Sequence, residues 1–378
     1  MQKTQDDLPQ LTDANRVVIK VGSSLLVDFD SGALNRAWLR SLAGEIARMV
    51  GRGQQIVVVS SGAIALGRKY LGFGKEQNKL NQQQAAAASG QILLAHAYQE
   101  LLGLHDIKAA QLLLTLGDTE NRRRYLNARS TLETLLAGSV VPIINENDTV
   151  ATEEIRYGDN DRLAARVAAM CSADCLVLLS DVDGLYESDP SVDENAKLIP
   201  VVHEISADIE ARAGTSRTEY GSGGMITKLA AAKICMPAGC ATVIANGHRS
   251  KPLSAVENDS ACTWFIPATT PSIARKRWIA GVLKPHGALT IDAGAVRSLT
   301  NGKSLLPVGI VAVDGTFQRG DAVIIQDDTG RDIGRGLVAY GSDEVQRIKG
   351  RRSAETQRIL GYSERDEVIH RDNLVLND

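Results

Sequence analysis

The chain has 378 residues, with 42 Lys and Arg against 45 Asp and Glu and a formal net charge of −3. That length exceeds one ordinary single-core domain, so two domains are expected, and a hydrophobic content of 44% allows a large core. The near-balance of charge excludes a global attraction to nucleic acid or an anionic membrane.

Residues 1–14 open on MQKTQDDLPQ, which is polar, lacks the apolar segment of a secretory signal and reads as a frayed tail. RVVIKVGSS follows as a β-rich run ending in Gly and Ser. Lys20 near its end, beside the exposed amides of Gly22, Ser23 and Ser24, suits a phosphate, although a lysine snorkelling from a strand end fits as well. NRAWLRSLAGEIARMVGRG has helical spacing and stops at Gly51 and Gly53. In QQIVVVSSGAIALG a buried strand turns through Ser60, Ser61 and Gly62 into a helix, where the amides offer an anion site or the serine a simple cap. QQQAAAA at Gln82–Ala88 reads as helix.

AGSVVPIINEND places Asn145, Glu146, Asn147 and Asp148 after another apolar run, an acceptor-rich loop suited to an ammonium or a metal, or a polar turn. GDNDRLAARVAAM packs Asp159, Asn160, Asp161 and Arg162 ahead of an apolar helix, more polar groups than one cap requires. CLVLLSDVDGLY sets Ser180, Asp181 and Asp183 at a strand end. GSGGMITKLAAAK offers close backbone approach at Gly221, Gly223 and Gly224, with Lys228 at the start of a helix. It lacks the Gly-Lys-Ser/Thr of a P-loop.

The five cysteines, Cys171, Cys175, Cys235, Cys240 and Cys262, are odd in number and form no C-x-x-C pair. Neither a disulfide framework nor a zinc site is expected; they read as small buried hydrophobes. The longest apolar runs are strand-length, too short to span a membrane. Runs of Val, Ile and Leu without alternation, separated by helices, predict an α/β fold: a mainly parallel open sheet with helices on both faces. In such a sheet the polar clusters converge beyond the carboxyl ends of the strands. From about Lys276, short runs broken by Asp-Gly and Arg-Gly turns predict a small C-terminal β-rich domain. The expected division is a tail at 1–14, an α/β domain at 15–258, a linker at 259–275 with Pro267 and Pro271, and a β-rich domain at 276–378.

The segments VVIKVGSSLL, VVVSSGAIALG, LLLTLGDTENRRRYLNARSTL, VPIINENDTVATEEIRYGDNDRLAARVA, LLSDVDGLY and GSGGMITKLAAA stand in this order, and together the chain resembles the glutamate 5-kinases of the amino acid kinase family. GALTIDAGAVRSL, LLPVGI and RGDAVIIQD resemble the PUA domain that many bacterial members carry. The similarity spares only the N-terminal tail. Its NEND-to-GDND stretch is specific to glutamate 5-kinases, whereas the glycine loops belong to the wider family.

The resemblance implies phosphorylation of the side-chain carboxylate of L-glutamate by ATP with Mg²⁺, the first step of proline biosynthesis. It implies that Lys20 and Lys228 lie against the phosphates, that Asp161 orients both lysines, and that Ser61, Asp148 and Asn160 hold glutamate. Lys20, Ser180, Asp181 and the run Ser222, Gly223, Gly224, Met225, Ile226, Thr227 and Lys228 would contact the nucleotide. Ser180 stands where relatives carry threonine, and keeps the hydroxyl. Asp159 is left to capping, while the Asn160 amide is expected both to donate and to accept. Mg²⁺ would be held mainly through the ATP phosphates, with no protein metal ligand. The resemblance further implies inhibition by L-proline near Asp118–Arg124, a homo-oligomer (dimer or tetramer), a glutamate 5-phosphate reductase as partner and a cytoplasmic location.

Two alternatives stand beside this. One is another amino acid kinase, acting on aspartate, acetylglutamate, carbamate or a phosphorylated substrate, against which the NEND and GDND loops argue. The other is an RNA-binding protein acting through the PUA-like domain. Lys276 to Asp378 holds 15 basic and 14 acidic residues, and few aromatics besides Tyr340 and Tyr362 accompany the cluster Arg347, Lys349, Arg351 and Arg352. That composition argues against an RNA surface.

Overall fold

The unalternated aliphatic runs form the centre of an eight-stranded sheet in a computed structural model that describes residues 9–28, 31–74, 79–150, 160–190, 192–213, 224–258, 260–281, 284–362 and 365–377. The chain divides into two units, residues 1–271 and 272–378. Strands of the first are β1 (Arg16–Val21), β2 (Gln55–Ser60), β3 (Lys108–Leu114), β4 (Val140–Glu146), β5 (Cys175–Ser180), β6 (Val201–Val202), β7 (Ala241–Asn246) and β8 (Cys262–Phe265). Between them run α1 (Ser23–Leu26), α2 (Arg36–Gly51), α3 (Ala63–Leu71), α4 (Leu80–Gly103), α5 (Leu116–Glu120), α6 (Arg122–Ala137), α7 (Asn160–Met170), α8 (Ala207–Ala213), α9 (Met225–Cys235) and α10 (Pro252–Glu257).

The strand order is β3-β4-β2-β1-β5-β7-β8-β6. Strands β3 through β7 in that order are parallel; β8 runs antiparallel to β7, and β6 parallel to β8. Successive strand residues face opposite sides. Val17, Ile19 and Val21 of β1 accordingly join Leu39, Leu42 and Ile46 of α2 and Leu94 and Tyr98 of α4, whereas Val18 joins Leu163 and Val167 of α7 and Leu229 of α9. Helices thus cover both faces, as a parallel sheet requires.

Two expectations are corrected. Part of the presumed tail is packed: Leu11 and Ala14 are buried, and the buried Gln54 amide donates to their backbone oxygens at 2.9 and 2.7 Å. The presumed linker contains β8, buried along its length. Its Thr263 hydroxyl donates to Ile199 O at 2.7 Å and accepts from Leu185 N at 2.8 Å, so a polar residue sits in the core with its bonds satisfied. Four residues with Thr and Cys among them give no strong apolar signal, which is why β8 reads as connection. The five cysteines are buried free thiols, as expected.

Helices α3 and α4 meet at glycines. A Cβ on Gly67 would fall 1.7 Å from Ala86 O, and one on Gly90 would fall 1.7 Å from Ala63 O. Only glycine permits that backbone approach.

The second unit holds α11 (Pro271–Gly281), β9 (Gly287–Ile291), α12 (Ala293–Thr300), β10 (Ile310–Gly315), β11 (Ala322–Gln326), β12 (Asp332–Leu337), α13 (Ser342–Ile348), α14 (Thr356–Leu360) and β13 (Leu374–Leu376). Its five-stranded sheet, β10-β9-β11-β12-β13, encloses a core with Leu289, Val323, Ile325, Tyr340 and Val345. Among the described residues no helix is long and apolar enough to cross a membrane.

Candidate active site

The carboxyl ends of four parallel strands deliver polar residues to one edge of the first sheet: Lys20 from β1, Ser60 from β2, Glu146 from β4 and Ser180 from β5. Lys20 shares the sheet face of Val18, the side on which α7 and α9 pack. There it meets Asp161, the second residue of α7, with Nζ 2.7 Å from Oδ1. Lys228, in the first turns of α9, stands 3.7 Å from Asp161 Oδ2, and Thr227 Oγ1 donates to Oδ2 at 2.7 Å. Asp161 is wholly buried, and both lysines nearly so.

Burial alone would raise the Asp161 carboxyl; Lys20, Lys228 and the Thr227 hydroxyl outweigh it and hold the group below its usual range. Burial pushes the Lys228 ammonium down, Asp161 pulls it back, and Lys20 repels it. Two ammonium groups face one buried carboxylate, and Asp181 acts on Lys228 as well. In such an arrangement the ammonium groups can stabilise an incoming anion.

Beside it lies a neutral polar group. Asn160, the first residue of α7, donates from Nδ2 to Ser61 Oγ at 2.7 Å, to Ser60 O at 3.2 Å and to Asn145 Oδ1 at 3.2 Å. A carbonyl such as Ser60 O can only accept, which fixes the amide's orientation. The amide expected both to donate and to accept has its NH₂ committed to protein acceptors. Asn145 Oδ1 also accepts from Glu146 N at 2.9 Å, and the buried Gln91 of α4 reaches Glu146 O at 3.4 Å. The turn between β2 and α3 needs glycine: Gly62 has φ of 96° and caps α3. Asp148, two residues past β4, is partly buried, and that burial pushes its carboxyl up to about 6.

On the other flank Ser180 donates to the exposed Asp181 at 2.8 Å. Gly224 caps α9 in extended conformation, so Met225, Ile226, Thr227 and Lys228 form the helix's first residues, and the Thr227 amide donates to Gly224 O at 3.1 Å. Ser222, Gly223 and Asp159 lie outside the described residues. Sequence reasoning gave Asn145 no site role of its own, and Gln91, inside an Ala-rich helix, carried no signal. Thr227 was grouped with the nucleotide, whereas its hydroxyl meets Asp161. The segment Asp118–Arg124 is not a loop but the end of α5 and the start of α6, and it is tied to α7: Arg166 donates to Thr119 Oγ1 at 2.7 Å and pairs with Glu120 at 2.9 Å. Among the described residues no group of three or more His, Cys, Asp or Glu could hold a metal.

Buried lysines around one aspartate, at the carboxyl edge of a parallel sheet, fit an enzyme that handles phosphoryl groups. The amino acid kinase family model matches residues 15–246, and the PUA domain model residues 287–360; the chain belongs to the amino acid kinase family and carries a C-terminal PUA domain. Within that family its place is among the glutamate 5-kinases. It is 58% identical over 366 residues to the glutamate 5-kinase of Paramagnetospirillum magneticum, covering 97% of this chain and 99% of that one. It is also 58% identical to the glutamate 5-kinase of a Bradyrhizobium species, over 97% of each chain. Among solved structures it is similar to UMP kinase from Ureaplasma parvum, with a TM-score of 0.48 at 16% identity over 67% of this chain and 98% of the other.

Proposed function

We propose that this site transfers the terminal phosphoryl group of ATP to the side-chain carboxylate of L-glutamate, giving L-glutamate 5-phosphate and ADP, the first step of proline biosynthesis, in the cytoplasm. The observation that carries the reading is the buried Lys20–Asp161–Lys228 cluster next to the Asn160–Ser61 group. A glutamate carboxylate, with a reference pKa of about 4.3, is already ionised at neutral pH. No general base is needed. One carboxylate oxygen bonds to the terminal phosphorus as the bond to the bridging oxygen breaks, and the electron pair leaves on ADP. The barrier is the approach of two anions, which Lys20 and Lys228 neutralise while Asp161 holds them in place. Asp148, Asn160 and Ser61 hold glutamate, with the Asp148 carboxylate suited to its ammonium group. Ser180, Asp181 and the residues from Ser222 to Lys228 hold the nucleotide.

Both oxygens of Asp161 have close protein partners, Lys20 and Thr227. Such a donor set fits a Mg²⁺ that arrives on the phosphate oxygens of ATP and on water. Bound there, the ion shields phosphate charge.

The test is ADP release dependent on L-glutamate, with hydroxylamine trapping the acyl phosphate as hydroxamate. Turnover with aspartate or carbamate but not with glutamate would overturn the assignment.

We also propose that L-proline competes with glutamate. The Arg166 bridge from α7 to the Thr119–Glu120 segment supports this, since α7 carries Asn160. Exposed Tyr70 and Ile92 on α3 and α4 support association into a dimer or tetramer. The lability of an acyl phosphate supports a reductase partner that consumes it quickly.

A further inference from the structure

Thr227 has one hydroxyl proton and two acceptors. Its Oγ1 lies 2.7 Å from Asp161 Oδ2 and 2.9 Å from the backbone oxygen of Gly224. On the same carboxylate Lys20 stands 2.7 Å from Oδ1, while Lys228 stands 3.7 Å from Oδ2. The hydroxyl is therefore a closer partner of Oδ2 than the Lys228 ammonium is. That ordering matters in a buried cluster. A carboxylate held through one oxygen turns readily about its terminal torsion, which is broad. Turned, it would change its distances to both lysines and shift where their ammonium groups stand. A neutral donor on Oδ2 fixes the carboxylate plane without adding charge. The same side chain also touches Gly224, where the glycine-rich stretch enters α9, so the nucleotide side and the charge cluster share one anchor.

We propose that Thr227 is a positioning residue: its hydroxyl holds the Asp161 carboxylate so that Lys20 is paired closely and Lys228 remains directed at the transferred phosphoryl group. This rests on the phosphotransfer reading above. Among the described residues, the charged groups facing Asp161 are Lys20 from β1 and Lys228 from α9, and Asp181 after β5 acts on Lys228. Loss of a donor to the ionised form moves a carboxyl toward its ordinary value, so the acid limb of kcat moves to higher pH.

The experiment compares Thr227→Val, which keeps the branched shape, with Thr227→Ser, which keeps the hydroxyl, in the full chain. For Thr227→Val the hydroxamate assay should give a kcat lower by roughly 10–100-fold, in line with a hydrogen bond to a charged group. Its KM for glutamate should stay near that of the parent chain, and its acid limb should shift upward. Thr227→Ser should restore both kcat and the limb. Carbon-13 titration of the Asp161 carboxyl, assigned with Asp161→Asn, reads the same shift without any turnover. An unchanged Asp161 titration in Thr227→Val, or a serine variant as impaired as valine, overturns the proposal. If valine prevents folding, Thr227→Ala is judged by the same two readouts. A parent chain that makes no hydroxamate sinks the phosphotransfer reading, and the titration still decides the role of Thr227.

Discussion

Lys20 Nζ and Asp161 Oδ1 form a 2.7 Å ion pair with both groups buried, linking the end of β1 to the start of α7. Removing one partner of such a pair leaves an uncompensated charge, at a cost of about 3–5 kcal/mol. Asp161→Asn should therefore unfold at lower urea than the parent chain at neutral pH, and should lose most of its kcat. The sign with pH is fixed by the lowered folded-state value. A depressed carboxyl stabilises above its unfolded value, about 3.9, and that contribution is lost as pH falls through the folded value. The parent chain should lose stability on acidification in that range more steeply than Asp161→Asn; parallel curves would refute the assignment.

Lys228 lies at the amino end of α9, where the proposed transfer would shift charge. Lys228→Met keeps the stem and deletes the charge. By analogy with loss of one preorganised donor, kcat should fall by roughly 10²–10³. The KM for glutamate should change little. Asn160→Ala should do the reverse, raising that KM more than it lowers kcat. Steady-state kinetics of the two variants separate the roles.

Asp148 gives a pH signature of its own. With its carboxyl pushed up to about 6, it must ionise to hold an ammonium. The KM for glutamate should climb as pH drops below that value, and Asp148→Asn should show a high, nearly pH-independent KM. The stability effect has the opposite sign from Asp161. A raised carboxyl stabilises fully below its unfolded value and loses that contribution as pH rises through the folded one. Asp148→Asn should therefore melt higher than the parent chain at pH above 7, a gain in stability coupled to a loss of binding. A melting temperature equal to or below the parent's would count against a desolvated Asp148.

Gly90→Ala places a methyl group against Ala63 O. Overpacking of this kind costs about 1–3 kcal/mol. A lower melting temperature, with a raised KM for glutamate because Ser61 lies just before α3, is the expected result. Thermal denaturation and glutamate titration check both.

Every described residue assigned to the site precedes Pro271, the last residue of the first unit. A chain ending there should remain folded by circular dichroism and active. A folded but inactive product would make the second unit part of the catalytic machinery.

Much of this site was legible because its physics is local. Unalternated runs such as VVIKV and LVLLS mark strands buried on both faces, and the polar cluster after each must fall at one sheet edge. Pairing across the fold was not legible. Nothing in the sequence says that Thr227 chooses Asp161, or that Asn145 and Asn160 share a hydrogen bond, because those contacts span 66 and 15 residues. Strand β3 was hidden for another reason. As an edge strand its burial alternates weakly, and KAAQLLL carries few β-branched residues. Leu11 was lost to the presumed tail and β8 to the presumed linker because each element is too short to show a period.

The bare backbones of Gly67 and Gly90 have a mechanical consequence. Helices touching through carbonyl oxygens interlock like teeth, and neither can roll about its axis without first lifting from the other. The first residue of α3 is one of those teeth, two positions after Ser61. The serine that meets Asn160 therefore stands at the end of a braced strut, and any motion that moves it must carry the forward half of α4 along.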